Sequence, residues 1–299
     1  MAGARVSAAQ RPASASLGVA ADLLELTKPK VQSLLLLTTV TTMLVAGDPS
    51  LGLIVATCLG GYLSAGGAGA INHVIDRDID AHMARTAGRP IASGRISPAV
   101  GLVFGLSLAA ASVVELALLV NPLAAGLSFS GFVGYTVLYT LVLKRRTWQN
   151  IVWGGAAGAV PPLVGWAAVR GSVDGIAVIL FFIVFFWTPP HFWALSLLMK
   201  DEYGKVGVPM LPVVRGEGET RRQILLYTVL LYAVTQLPFC AGGMGPLYLV
   251  ASLALGLGFI YLAWRLYQRA DRRSALVLYL FSLLYLALLF GAMVADAKL

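Results

Sequence analysis

Cysteine, histidine and charge are all scarce in this chain. Only 2 cysteines and 3 histidines occur in 299 residues, and Cys58 and Cys240 stand in separate apolar segments. That spacing excludes a disulfide framework and a cysteine-based metal site, and leaves both thiols as packing residues. Charged residues make up 12% of the chain while hydrophobic ones reach 58%, and the mean hydropathy is +0.81. A soluble domain of this length is not built from so little charge.

What is present is a series of apolar runs at 31–47, 51–71, 98–120, 123–143, 150–169, 174–199, 223–241, 246–264 and 274–294. Each is long enough to cross a hydrocarbon core about 30 Å thick. The expected fold is all-α, a polytopic membrane protein with nine transmembrane helices. Turn signals separate the runs at Gly47-Asp48-Pro49, Asn121-Pro122 and Gly242-Gly243-Met244-Gly245-Pro246. Of the 22 lysines and arginines, all but Arg170 and Lys298 fall on one side of this arrangement. That is a positive-inside pattern, with the N-terminus inside and the C-terminus outside. The net charge of +8 is therefore a topology signal with affinity for anionic head groups, and nucleic-acid binding is a poor reading of it. Residues 1–24 read as a disordered tail, its first part Ala- and Ser-rich with Arg5 and Arg11, which also permits a transit-peptide reading. No cleavable secretory signal is visible, because the first apolar run is long enough to span. Residues 25–299 read as one transmembrane domain.

The second apolar run ends at Asn72-His73-Val74-Ile75-Asp76-Arg77-Asp78-Ile79-Asp80. A helix here would align Asn72, Asp76 and Asp80 in one stripe, with about 6 Å between steps. Two carboxylates at that spacing repel by roughly 3 kcal/mol at an effective dielectric near 20. At a membrane boundary the stripe calls for a cation, and oxygen ligands suit Mg²⁺, which takes one or two carboxylates and shares its shell with water and substrate phosphate. The plainer alternative is a solvated helix end whose Asp76, Arg77, Asp78 and Asp80 form local ion pairs. His73 points off the stripe and ranks below it.

The loops at 76–97 and 200–222 are long and polar, whereas connections on the opposite side are short, so chemistry is expected on the basic side. The first loop holds Arg85, Arg89 and Arg95. Guanidinium forks suit phosphate oxygens, with lipid anchoring as the alternative. Lys144 and Arg145 carry the same ambiguity. The second loop opens Lys200-Asp201-Glu202-Tyr203-Gly204-Lys205, placing carboxylates again where an apolar helix meets the basic face. The recurrence points to two related halves, about 25–145 and 146–295, facing one cavity. The sixth run carries Trp187-Thr188-Pro189-Pro190-His191-Phe192-Trp193. Paired prolines are expected to break the helix, and His191 beside them either meets a flat hydrophobic substrate or caps freed carbonyls. Gly60, Gly61, Gly66, Gly67, Gly69, Gly154, Gly155 and Gly158 read as close helix packing.

The Asn72-x3-Asp76-x3-Asp80 pattern resembles the first aspartate-rich motif of the UbiA superfamily of intramembrane prenyltransferases. Thr27-Lys28-Pro29, Arg85-Thr86, Arg89-Pro90, Tyr139-Thr140 with Lys144-Arg145-Arg146-Thr147, Gly158-Ala159-Val160-Pro161-Pro162, Pro190-His191-Phe192-Trp193-Ala194-Leu195 and Pro209-Met210-Leu211-Pro212-Val213-Val214 are similar, more narrowly, to its haem-farnesylating branch. The match runs through about residues 22–295.

The resemblance implies a bundle around a central, lipid-accessible cavity. There the farnesyl group of farnesyl diphosphate would pass to a vinyl group of haem B, which is substrate and not prosthetic group. It implies catalytic roles for Asn72, Asp76, Asp80, Arg85, Lys144, Asp201 and Glu202. Substrate contacts would come from Arg89, Arg145, His191, Trp193, Tyr203, Lys205 and His73, and Mg²⁺ would sit on Asp76, Asp80, Asn72 and Asp201. The implied setting is a bacterial plasma membrane with cytoplasmic catalytic loops. The implied partners are membrane lipid and a haem A synthase or haem-copper oxidase assembly factor. One departure is Lys205, which stands where many superfamily members complete a second Asp-x3-Asp, and it leaves a second metal ion open. Two other readings stay open. A relative acting on an aromatic quinone precursor shares the donor chemistry, though His191 favours haem. A transporter also uses intramembrane acids and broken helices, but its acids should lie at mid-membrane.

Overall fold

The computed structural model describes residues 15–299. Among these the chain is helical, with no strand. A first helix, α1 (Ala15–Leu26), lies along the basic side. It shortens the expected tail: residues 1–14 lie outside the described residues, but from Ala15 onward the chain is helical. Arg95 explains why α1 is held, since its guanidinium pairs with Asp22 at 2.9 Å and Glu25 at 3.3 Å.

The described residues contain nine helical stretches long and apolar enough to cross a membrane. They are α2 (Pro29–Ala46), α3 (Leu51–Ile75), α5 (Pro98–Leu119), α6 (Pro122–Val133) continued by a π-helical segment (Gly134–Leu143), α7 (Asn150–Gly158) with α8 (Val160–Arg170), α9 (Gly175–Leu198), α12 (Gly216–Cys240), α13 (Pro246–Arg269) and α14 (Arg272–Ala297). Short helices α4 (Arg77–Ala81), α10 (Lys200–Lys205) and α11 (Leu211–Val214) sit in the two long loops. The nine expected spans are borne out. The seventh starts earlier than its apolar run, because the polar Gly216–Gln223 stretch continues the helix beyond the hydrocarbon.

Local chemistry sets the helix starts. Ser50, Ser97, Asn121 and Asp271 accept from the backbone N–H of Leu53, Val100, Ala124 and Ser274 at 3.2, 3.3, 2.8 and 2.6 Å. Proline occupies the first helical position at Pro29, Pro98, Pro122 and Pro246, where its missing donor is harmless. On the side away from the basic loops, Lys298 reaches Asp48 at 2.5 Å and the Gly47 carbonyl at 3.0 Å. Asp296 accepts from the N–H groups of Gly245 and Tyr248, closing the start of α13.

Small residues set the closest packing. A Cβ on Gly67 would lie 2.6 Å from the Gly105 carbonyl oxygen and one on Gly105 2.9 Å from that of Gly67, so α3 and α5 touch backbone to backbone. Gly158 has nothing within 4 Å of a Cβ, so close packing does not explain it. The largest core cluster joins α9, α12, α13 and α14 through buried Trp193, Leu231, Tyr248, Phe259, Tyr285 and Phe290.

The paired prolines do not break their helix. α9 runs unbroken through Pro189 and Pro190, although both lack the N–H that would close the preceding turn. Both prolines and their neighbours Thr188, His191 and Trp193 are buried, so packing against the adjoining helices holds the segment helical.

Candidate active site

The acidic stripe straddles the end of α3. Asn72 lies in its last turn, Asp76 caps it, and Asp80 lies in α4. All three are buried, at 3%, 0% and 3% exposure. That excludes the solvated helix end, because two carboxylates this close cannot be buried without compensating charge. Lysines and arginines supply it. Lys144 reaches Asp76 Oδ2 at 2.5 Å, Arg89 reaches Asp80 Oδ2 at 2.6 Å and Lys28 donates to Asn72 Oδ1 at 2.6 Å. The Asn72 amide N–H₂ donates to Asp76 Oδ2 at 2.7 Å and to Thr140 Oγ1 at 3.3 Å. Arg145 forks onto Asp78 at 2.7 and 2.8 Å, and this hydrogen bond holds the Asp78 carboxyl down at about 2 while raising the guanidinium. Burial, then the charges of Arg89 and Lys144, pull the Lys28 ammonium down to about 7.

The π-helical segment explains how the fourth span joins this cluster. Lys144 N–H donates to the Tyr139 carbonyl at 2.8 Å, and Thr140 Oγ1 donates to the Tyr135 carbonyl at 2.8 Å, both across five residues. A turn of roughly 4.4 residues advances about 80° per residue instead of about 100°. Tyr135, Thr140 and Lys144 are thereby brought to one face, whereas on an α-helix Lys144 would point half a turn from Tyr135. On that face Lys28 lies over the Tyr135 ring at 5.8 Å, Thr140 accepts from Asn72 and Lys144 meets Asp76. Beside it lies a cavity of about 400 Å³ lined by Ile75, Arg77, Asp78, Thr140, Leu141 and Arg145.

The other candidates divide. His73 is buried, neither ring nitrogen has a hydrogen-bond partner, and Lys28, Arg89 and Lys144 direct positive charge at it. Arg85 is exposed and makes no ion pair among the described residues, while its neighbour Thr86 bonds the Asp80 carbonyl at 3.0 Å. In the second loop Asp201 and Lys205 are exposed. Glu202 Oε2 is buried without a partner, and Tyr203 packs on the same core as Tyr139. Among the described residues no three His, Cys, Asp or Glu side chains converge as a metal site. Asp201 projects from α10, the short helix that follows α9, and is exposed. Trp193 is fully buried in the core.

His191 lies about 10 Å deeper than the end of α9. It is stacked between Trp187 at 4.4 Å and Tyr279 at 4.8 Å between ring centroids. The Ser282 hydroxyl gives its single proton to the Tyr279 carbonyl at 2.6 Å and so accepts from His191 Nδ1–H at 2.7 Å. In the neutral ring Nε2 then carries the lone pair.

The donors present fit Mg²⁺ in one particular way. Asp76 Oδ1 is buried and accepts no hydrogen bond, with only the Arg145 guanidinium at 3.6 Å. Asp80 lies one turn on. Two carboxylates are too few for an all-protein cage but match an ion that arrives with substrate phosphate. The Asn72 oxygen is already held by Lys28 and is the weakest member of the expected set.

A family model described as the UbiA prenyltransferase family matches residues 35–289. The chain belongs to the UbiA prenyltransferase family. Relatives named protoheme IX farnesyltransferase include one from Marinobacter nauticus, 50% identical over 289 residues, covering 96% of both chains. One from Chloroflexus aurantiacus is 54% identical over 280 residues, covering 93% of this chain and 48% of its own, and one from Thermus thermophilus is 53% identical over 92% and 46%. The chain thus spans about half the length of the Chloroflexus and Thermus relatives. Among solved structures, a digeranylgeranylglyceryl phosphate synthase superposes with a TM-score of 0.78 at 19% identity, over 94% of this chain and 99% of that one. A UbiA homologue from Archaeoglobus fulgidus bound to DMAPP and Mg²⁺ gives 0.72 at 16%, over 91% and 99%. The UbiA fold is thereby established for this chain.

Lys28, Tyr135 and Thr140 were not among the residues singled out for the site, although Thr27-Lys28-Pro29 carries part of the family resemblance. The trace in the sequence is the five-residue step from Tyr135 to Thr140, which brings these two to one face with Lys144 on a π-helix but not on an α-helix.

Proposed function

We propose that this chain transfers the farnesyl group of farnesyl diphosphate to a vinyl group of haem B, releasing diphosphate and giving haem O. The observation that carries this reading is the buried Asp76 with its free oxygen, set among Lys28, Lys144, Arg145 and Arg89. Mg²⁺ held by Asp76 and Asp80 would neutralise the diphosphate and make it a better leaving group. The side chains do the rest. Lys28, Lys144, Arg89 and Arg145, now paired with carboxylates or the Asn72 oxygen, are the groups able to turn to phosphate oxygens and to stabilise the charge that grows on them. His73 offers a further buried donor beside them.

The C1–oxygen bond of the farnesyl diphosphate breaks, leaving an allylic cation. The vinyl carbon attacks it, and water adds to the resulting haem cation as hydroxyl with loss of a proton. Helix packing keeps other water from the first cation. His191, with its Nε2 lone pair at greater depth, is the residue proposed to meet the haem, and the names of the half-identical relatives support haem as acceptor. Glu202, Tyr203 and Lys205 would approach from the second loop. Asp201, exposed as it is, would join a metal only if that loop moves. Arg85 would engage the diphosphate from solvent, and Trp193 would shape the haem pocket only indirectly. The recurrence of acids after the second and sixth spans supports two related halves, and the basic-residue asymmetry supports a site on the inner side of the membrane, with a bacterial plasma membrane as the proposed setting. A haem A synthase is the proposed recipient of product.

The test is incubation of the purified chain with haem B, farnesyl diphosphate and Mg²⁺, followed by mass analysis of the haems. Haem O is expected from wild type and none from Asp76→Ala. No haem O from wild type, or equal amounts from both, overturns the reading.

A further inference from the structure

Asp78, the acid between Asp76 and Asp80, has no part in the reaction proposed above, yet it holds one of the cations that the reaction needs. Its carboxylate takes both terminal nitrogens of the Arg145 guanidinium, Nη2 at 2.7 Å and Nη1 at 2.8 Å. The same guanidinium donates to the Ile75 carbonyl at 2.9 Å, and its Nη2 stands 3.6 Å from the unpartnered Oδ1 of Asp76. Asp78 and Arg145 line the cavity of about 400 Å³ together with Arg77 and Thr140. A phosphate entering that space meets two guanidinium groups and one competing carboxylate.

The three ion pairs of the first loop differ in what is left behind when the cation moves. Lys144 and Arg89 pair with carboxylates that are 0% and 4% exposed, so turning either cation to phosphate strands a buried charge until a metal replaces it. The Asp78 side chain is 61% exposed and that of Arg145 37%. Water takes over Asp78 when Arg145 leaves, and an exposed pair is weak enough to be exchanged. A diphosphate carries more charge than one carboxylate and accepts the guanidinium fork equally well. Arg145 is therefore the cation that substrate can capture at least cost.

We propose that Asp78 competes with the diphosphate for Arg145. It holds the guanidinium at the cavity wall, yields it when the diphosphate enters, and retakes it as inorganic diphosphate leaves. Asp78 thus weakens diphosphate binding and speeds its release, the opposite of what a metal-binding acid does. The inference rests on the diphosphate reading of this site.

The test is isothermal titration of the full chain in detergent with inorganic diphosphate and Mg²⁺. Asp78→Asn is expected to bind roughly fivefold more tightly, about 1 kcal/mol for an exposed pair that no longer has to be broken. Arg145→Gln is expected to bind more weakly than wild type, and adding Asp78→Asn to it to change nothing further, because the competition is gone. Asp78 is exposed and Asn keeps its shape, so a gain in affinity cannot come from misfolding. Unchanged or weaker binding by Asp78→Asn overturns the proposal. So does an equal gain in the Arg145→Gln background, which would be the general effect of removing a negative charge. Failure of the diphosphate reading gives a different result: wild type binds no diphosphate, or Asp76→Ala binds it as well as wild type does.

Discussion

The two long loops on the basic side carry similar residue types but differ in how they hold them. In the first, Asp76 and Asp80 are buried and each carboxylate has a cation within 2.6 Å. In the second, Asp201 and Lys205 are exposed, and only Glu202 buries an oxygen, without a partner. The difference comes from what each loop stands against. The first is enclosed by α1, the start of α2 and the π-helical segment, which deliver Lys28 and Lys144. The second loop packs on the same region, with Tyr203 in one core with Tyr139 and Arg215 over the Trp148 ring at 5.5 Å. Its Lys200, however, pairs with Glu217 at 3.1 Å and, among the described residues, no cation pairs with Asp201. In the first loop the surrounding elements bring cations to the buried carboxylates, whereas in the second Asp201 stays in solvent.

Substitutions should separate the loops by size of effect. Asp76→Ala removes the buried carboxylate with the free oxygen and is expected to lower turnover roughly a thousandfold, whereas Asp201→Asn should change it by less than about threefold, both read as haem O formed per unit time. Equal losses would erase the distinction. Lys144→Met leaves Asp76 buried without its nearest cation, and turnover should fall about a hundredfold. Thr140→Val keeps the shape but removes the acceptor that orients the Asn72 amide. We expect about a tenfold loss in kcat with little change in KM for farnesyl diphosphate, and a change confined to KM would argue that Thr140 touches substrate instead.

The smallest effect is on stability. Because the Lys28 ammonium is pulled from 10.5 to about 7 in the folded protein, the unfolded chain binds more protons between those values. Stability of the ligand-free protein should therefore rise with pH from about 7 toward 10.5, and Lys28→Met should flatten that slope. Thermal melts in detergent across that range measure it.

Much of the fold was legible because the membrane imposes one rule on every span: apolar length, ended by turn residues such as Asn121-Pro122 and Gly245-Pro246. The helix through Pro189 and Pro190 was not, since packing outweighs the two lost donors. At the site, the stripe of Asn72, Asp76 and Asp80 was readable from four-residue spacing. Which cations neutralise it was not, because Lys28 and Lys144 lie far off in sequence and the π register that aims Lys144 leaves only a one-residue irregularity.

The central claim is that the first loop binds the diphosphate and the second does not replace it. Isothermal titration of the full chain with farnesyl thiodiphosphate, a slow-reacting substrate mimic, in the presence of Mg²⁺ tests this directly. The account predicts that Asp76→Ala abolishes measurable binding while Asp201→Ala stays within about threefold of wild type. Undiminished binding by Asp76→Ala would contradict it.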